Sequence, residues 1–94
     1  MVRTVLDLTD CKTWDDMHER FKVALHFPDY YGCNWDAFYD SLSGYSDVNF
    51  FEIRGEHTLS PEFTDSMKMM HRILDDVKVY FAKYAEEFDY VIVD

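Results

Sequence analysis

Apolar residues fall into short runs and helical stripes that lay out the whole chain. "TVLDL" at 4–8 predicts an opening strand. Thr13 then stands before Trp14, with Asp16 three residues on, a capping-box pattern. Trp14, Met17, Phe21 and Leu25 recur at helical spacing, so the first helix is expected over about 14–26, with Pro28 ending it. After the "DYYGC" loop, Asn34 can cap a second helix over about 35–43, and Gly44 can close it as the residue past the last turn. "VNFFEIR" at 48–54 predicts a second strand, broken by Gly55. Ser60 and Pro61 read as N-cap and first position of a helical start. A short helix near 61–65 then leads into a long one near 66–86. There Met67, Met70, Ile73, Leu74, Val77, Phe81 and Tyr84 supply the apolar stripe. "DYVIV" at 89–93 closes as a third strand, its unbroken Val-Ile-Val run reading as buried. The order β-α-α-β-α-α-β predicts one α/β domain over 1–94: a small three-stranded parallel sheet packed with helices and joined by right-handed crossovers.

The second helix raises the functional question. At 100° per residue, Trp35, Phe38 and Leu42 gather on one face and make it the core face. Asp36, Asp40 and Ser43 gather opposite, with Tyr39 at the border. Like charges four apart on a helix repel by a few tenths of a kcal/mol. Three readings account for them: a solvated polar face, a metal or acid–base site on DxxxD, or a recognition face for a cationic pocket. Two carboxylates alone rarely hold Mg²⁺ without phosphate or further ligands, and no third ligand stands at a telling spacing. Tyrosines 30, 31, 39 and 45 around the acids suit recognition, because aromatic residues dominate binding hot spots.

Charge narrows the partner. The 94 residues carry 19 acids against 9 bases, a formal net of −10. Residues 1–47 hold 9 acids and 4 bases, and 48–94 hold 10 and 5, so neither half is an acidic tail. Between Lys22 and Arg54, however, no Lys or Arg occurs, while Asp29, Asp36, Asp40, Asp47 and Glu52 do. Binding nucleic acid needs Lys and Arg to displace counterions, so no nucleic acid is expected, nor an anionic membrane. A basic protein is the natural partner. Cys11 and Cys33 fit neither CxxC nor a zinc pattern and are expected as reduced thiols of a cytoplasmic protein. "MVRTVLDLTD" does not read as a signal peptide, and no apolar run reaches spanning length. His18, His26, His57 and His71 form no HxxxH or HExxH pair and are expected at the surface; Met67, Met69 and Met70 are expected in the core. No Ser or Cys has the setting of a nucleophile, and no cofactor or metal is expected.

"YYGCNWDAFYDSLSG" makes a resemblance specific: the chain resembles the barstar family, intracellular inhibitors of secreted ribonucleases. The family pattern is met by Tyr30, Tyr31, Gly32, Asn34, Asp36, Ala37, Tyr39, Asp40, Leu42 and Gly44. The resemblance implies a non-enzyme that inserts this helix and its preceding loop into a nuclease active-site groove. Asp40 would stand in for a substrate phosphate, Asp36 would meet a second cation, Tyr30 would pack on a catalytic histidine, and Tyr39 would fill the aromatic contact between the acids. The implied contact set is Tyr30, Tyr31, Gly32, Asn34, Trp35, Asp36, Tyr39, Asp40, Gly44 and Tyr45. The implied partner is a basic extracellular ribonuclease or a nuclease toxin, bound one to one. An acidic adaptor, or an immunity protein against a toxin that is not a ribonuclease, is the alternative. The chain departs from the pattern in four ways. Tyr39 replaces the usual tryptophan, Ala82 falls where a further contact acid is expected, Ser41 and Phe88 stand in place of a cysteine pair, and 55–66 is a few residues longer.

Overall fold

A computed structural model describes residues 2–93. Three strands, β1 (Val2–Asp7), β2 (Val48–Arg54) and β3 (Asp89–Val93), form one parallel sheet in the order β1-β2-β3. Between β1 and β2 run α1 (Trp14–Ala24) and α2 (Trp35–Gly44); α3 (Thr64–Ala82) precedes β3. Leu6 pairs with Ile53 and Ile53 with Ile92, while Thr4, Phe51 and Tyr90 share a rung two residues along. Leu6, Leu8, Phe51 and Ile53 are fully or almost fully buried on the inner face. Side chains alternate across a strand, so Arg3, Val5, Phe50, Glu52 and Val91 point the other way. On that outer face Val5 and Val91 stay open to solvent, and the Arg3 guanidinium sits 4.6 Å over the Phe50 ring.

The α/β class and the parallel three-stranded sheet are as expected; several details differ. The short helix near 61–65 is a single 3-10 turn, Pro61–Phe63, and a further 3-10 turn, Glu56–Thr58, precedes it. Ser60 holds the cap position there, but its hydroxyl bonds to Glu62 instead of a backbone N–H. The long helix starts at Thr64 and stops at Ala82, leaving Tyr84 exposed beyond it. The stop is a Schellman turn: Glu86 N–H donates to the Phe81 carbonyl at 3.0 Å and Ala85 N–H to the Ala82 carbonyl, with Ala85 left-handed at φ 56°. α1 ends the same way: Phe27 N–H donates to the Lys22 carbonyl and His26 sits at φ 58°. Gly44 does not close α2 as expected; it lies inside the last turn and Tyr45 is the cap. Met69 is exposed, unlike Met67 and Met70. The Val-Ile-Val run is not buried either. β3 is an edge strand of a sheet with one uncovered face, so Val91 and Ile92 are each 40% exposed.

The core is aromatic beside α1 and α2. Phe38 is fully buried, with its ring 5.0 Å from Phe21 and 5.6 Å from Phe27. At the end of β2, Gly55 takes φ 83°, and a Cβ there would lie 2.4 Å from the Thr9 backbone nitrogen. Only glycine fits that approach.

Two substitutions check this packing. Phe38→Ala is expected to destabilise the fold by about 3–5 kcal/mol, the usual result of truncating a buried aromatic, and an unchanged denaturant midpoint would show the core misplaced. Ala85→Gly should instead stabilise by up to about 1 kcal/mol, because it relieves a left-handed Cβ; chemical denaturation reads that as a higher midpoint at unchanged slope.

Candidate functional site

Local chemistry fixes the loop 28–34 and the start of α2. Tyr31 N–H donates to the Pro28 carbonyl at 3.0 Å. The Asn34 carboxamide serves both sides: its oxygen accepts from Ala37 N–H at 2.8 Å, capping α2, and its nitrogen donates to the Gly32 carbonyl at 3.2 Å. Between them Cys33 carries the left-handed turn, φ 53°. On α1 the Thr13 hydroxyl accepts from Asp16 N–H as expected, while the Asp16 carboxylate turns to Arg20 at 3.0 Å and does not reach back to Thr13.

The tyrosines divide. Tyr30 is 81% exposed and Tyr45 is 58% exposed, their rings meeting edge-on at 6.4 Å. Tyr31 turns inward instead. Its hydroxyl lies 2.6 Å from His18 Nδ1, and both residues are buried. His18 was expected at the surface; the structure buries it completely, packed by Trp14 at 4.1 Å, Phe21 and Trp35. Residue 18 lies four beyond Trp14 and three before Phe21, on the apolar stripe, and that spacing was the available signal. Burial lowers the His18 pKa to about 4 from an ordinary 6.5, and burial raises that of Tyr31. His18 Nε2 is buried without a hydrogen-bond partner among the described residues.

Trp35, also in the expected contact set, is half-buried with its ring 5.3 Å from Trp14. Asp36 and Asp40 are exposed on the far side of α2 and Tyr39 is half-buried beside the core. Ser43 Oγ bonds back to the Tyr39 carbonyl at 2.7 Å. Four of the cations pair with other acids: Arg20 with Asp16, Arg54 with Glu52, Lys78 with Asp89, and Lys22 loosely with Asp29 at 3.9 Å. No ion pair or hydrogen bond from the described residues engages either carboxylate of α2. Cys11 is buried and Cys33 exposed, both as free thiols. Among the described residues no three His, Cys, Asp or Glu side chains converge to hold an ion, and no helix is long and apolar enough to cross a membrane.

Two unpaired acids on an anchored helix, behind a loop with one tyrosine out and one in, bring the comparison with known proteins to a point. The profile of the family described as Barstar (barnase inhibitor) matches residues 1–93. The chain belongs to the barstar family. It is also 40% identical over 48 residues to a protein of Bacillus subtilis (strain 168) named "Putative ribonuclease inhibitor YrdF". That match covers 51% of this chain and 53% of the relative, so it spans about half the length of each. The places where the barstar-like pattern is not kept have structural answers. Ser41 and Phe88 are both buried, Phe88 stacked on Phe81 at 5.6 Å, so packing occupies both positions. Ala82 is the last residue of α3 and is exposed.

The buried histidine makes stability pH-dependent. Above about 6.5 His18 is neutral folded and unfolded, and contributes no slope. Between 6.5 and about 4 the unfolded chain binds a proton that the folded chain refuses, so stability falls as pH falls. Below about 4 the loss levels off on the order of 3 kcal/mol, at about 1.36 kcal/mol per pH unit. Denaturation midpoints across pH 4–7 should show this slope in the wild type and a flatter one in His18→Phe.

Proposed function

We propose that this chain is a ribonuclease inhibitor that lays α2 and the 28–34 loop into the active-site groove of a basic secreted ribonuclease, one to one. It acts by occupation and catalyses nothing. The observation that carries the reading is the pair Asp36 and Asp40, exposed and unpaired on a helix locked into an aromatic core, in a chain of the barstar family. Nucleases that cleave RNA present cations to a phosphate. A fixed carboxylate at the phosphate position satisfies them, and Asp40 is assigned that role. Asp36 meets a second cation, Tyr30 and Tyr45 supply exposed aromatic contact, and Tyr39 packs between the acids. Gly32, Asn34, Tyr31 and Trp35 hold this surface in shape from below, by loop geometry and burial. The producing cell's cytoplasm is where an inhibitor of a secreted nuclease protects its own RNA. The α2 acids repel each other by only a few tenths of a kcal/mol, a small penalty beside pairing with a desolvated partner.

The chain, used as bait on extract and medium of the organism that encodes it, should capture a basic protein with ribonuclease activity. That activity should vanish on addition of one equivalent of inhibitor. Captured partners without ribonuclease activity, or activity that survives excess chain, would refute the reading. Asp40→Ala should weaken binding by about 2–5 kcal/mol, the range for truncating one member of a buried charge pair, barstar-type complexes among them. Folding stability should move by less than about 0.5 kcal/mol. Calorimetry with equal affinity for variant and wild type would remove Asp40 from the site.

Association should be fast and salt-sensitive, because a one-signed field steers a cationic partner and raises encounter rates by about 10- to 10³-fold at low ionic strength. The screening length shrinks from about 30 Å at 0.01 M to about 3 Å at 1 M salt. Stopped-flow mixing should show on-rates falling steeply over that range while off-rates hardly move.

A further inference from the structure

His26 and Asp47 have no part in the recognition surface described so far, yet they touch its edge. His26 ends α1 with a left-handed backbone, which throws its half-exposed ring across to the α2–β2 turn. There its Nδ1 lies 2.6 Å from Asp47 Oδ1. The same two segments are stapled by Ser46, whose hydroxyl donates to the Leu25 carbonyl and accepts from Val48 N–H at 3.1 Å. The Asp47 carboxylate is therefore held in orientation although its side chain is 65% exposed. With Phe27 and Tyr45 the pair lines an open depression of about 450 Å³. Tyr45 belongs to both surfaces, since its ring also meets Tyr30.

The geometry points to this depression as the seat of one arginine or lysine of the bound ribonuclease, an anchor separate from the cations that meet Asp36 and Asp40. The inference rests on the ribonuclease reading and adds a specificity contact to it. Charge complementarity chooses the occupant: the wall carries a carboxylate inside a stretch, 23–53, that holds no Lys or Arg. The Tyr45 ring offers a face on which a cation gains about 0.5–1 kcal/mol at an exposed site. A carboxylate has about four acceptor positions, and the His26 bond uses one, so the pair keeps acceptor capacity for an incoming donor. A guanidinium suits the place better than an ammonium, because it can stack on a ring and fork onto a carboxylate together. His26 acts as a positioning residue: it works through Asp47 and meets no partner atom itself.

The test uses the purified ribonuclease captured with this chain, and stopped-flow or surface-binding kinetics. Asp47→Asn should weaken binding about tenfold, nearly all through faster dissociation, since a lost short-range contact shows in the off-rate. His26→Ala should weaken it about threefold, and His26→Gln, which keeps a donor, should recover most of that. The double variant should be no weaker than Asp47→Asn alone. Asp29→Asn, an exposed acid 3.9 Å from Lys22, should alter only the on-rate. A double-mutant cycle of Asp47→Asn against each arginine and lysine of the nuclease should find one residue coupled about tenfold. If Asp40→Ala loses binding while Asp47→Asn changes dissociation less than twofold, this seat is refuted and the ribonuclease reading stands. If the captured partner has no ribonuclease activity, or keeps it in excess chain, the ribonuclease reading fails and takes the seat with it.

Discussion

The shape of the candidate site depends on one buried hydrogen bond, between His18 on α1 and the Tyr31 hydroxyl in the loop before α2. Two polar rings lie in a fully apolar setting, so either would be costly to bury alone. Together they fix the loop from inside at its midpoint. Tyr31 cannot leave the core without stranding His18, so Tyr30 is held outward by its neighbour's anchor. Asn34 secures the far end of the loop by bonding both Gly32 and Ala37. An exposed loop that would otherwise sample many conformations is thereby ordered in the free chain, which would reduce the entropy lost in the proposed association.

The electrostatic design complements this rigidity. Four cations are used internally, on Asp16, Glu52, Asp89 and more loosely Asp29, and none of the described ones reaches the α2 acids. Paired carboxylates already satisfied at home would bind a cationic groove weakly, since the partner would have to displace an internal bond first. Exposure in the free state keeps Asp36 and Asp40 hydrated and cheap to display. On the proposed reading, their worth arises only where a partner excludes water around them.

Most of the fold was legible because it rests on periodicity. All three strands and the α2 stripe of Trp35, Phe38 and Leu42 were readable from spacing, and so was the Asn34 cap. What escaped notice was punctuation written in unusual residues. Asp10, His26, Cys33 and Ala85 all take left-handed backbone normally marked by glycine, so the end of α3 at Ala82 left no trace in the letters. Gly44, which looks like a helix stop, is an ordinary helical residue. At the candidate site, the exposed acids of α2 were legible from the helix spacing and the orientation of the tyrosines was not. Nothing in a Tyr-Tyr pair says which ring faces out; that is decided by His18, thirteen residues upstream of its partner. The buried character of His18 was available from its place on the α1 stripe, but a lone histidine without a metal-ligand spacing reads as surface. Val91 and Ile92 misled in the opposite direction, because an apolar run reports affinity for a sheet and not the number of strands that flank it.

The aromatic network beneath the candidate site, from Trp14 through His18, Phe21, Phe27, Tyr31 and Trp35 to Phe38, and the separate Tyr30–Tyr45 pair lie within one contiguous third of the chain. This has an evolutionary consequence. The determinants of loop shape and those of charge display are inherited together on a single short stretch, while the segment from Gly55 to Phe63 contributes none of these rings. That later segment could therefore be lengthened or rewritten without touching the rings that anchor α2. On the proposed reading, a change of nuclease could conversely be followed by substitutions confined to a few neighbouring codons.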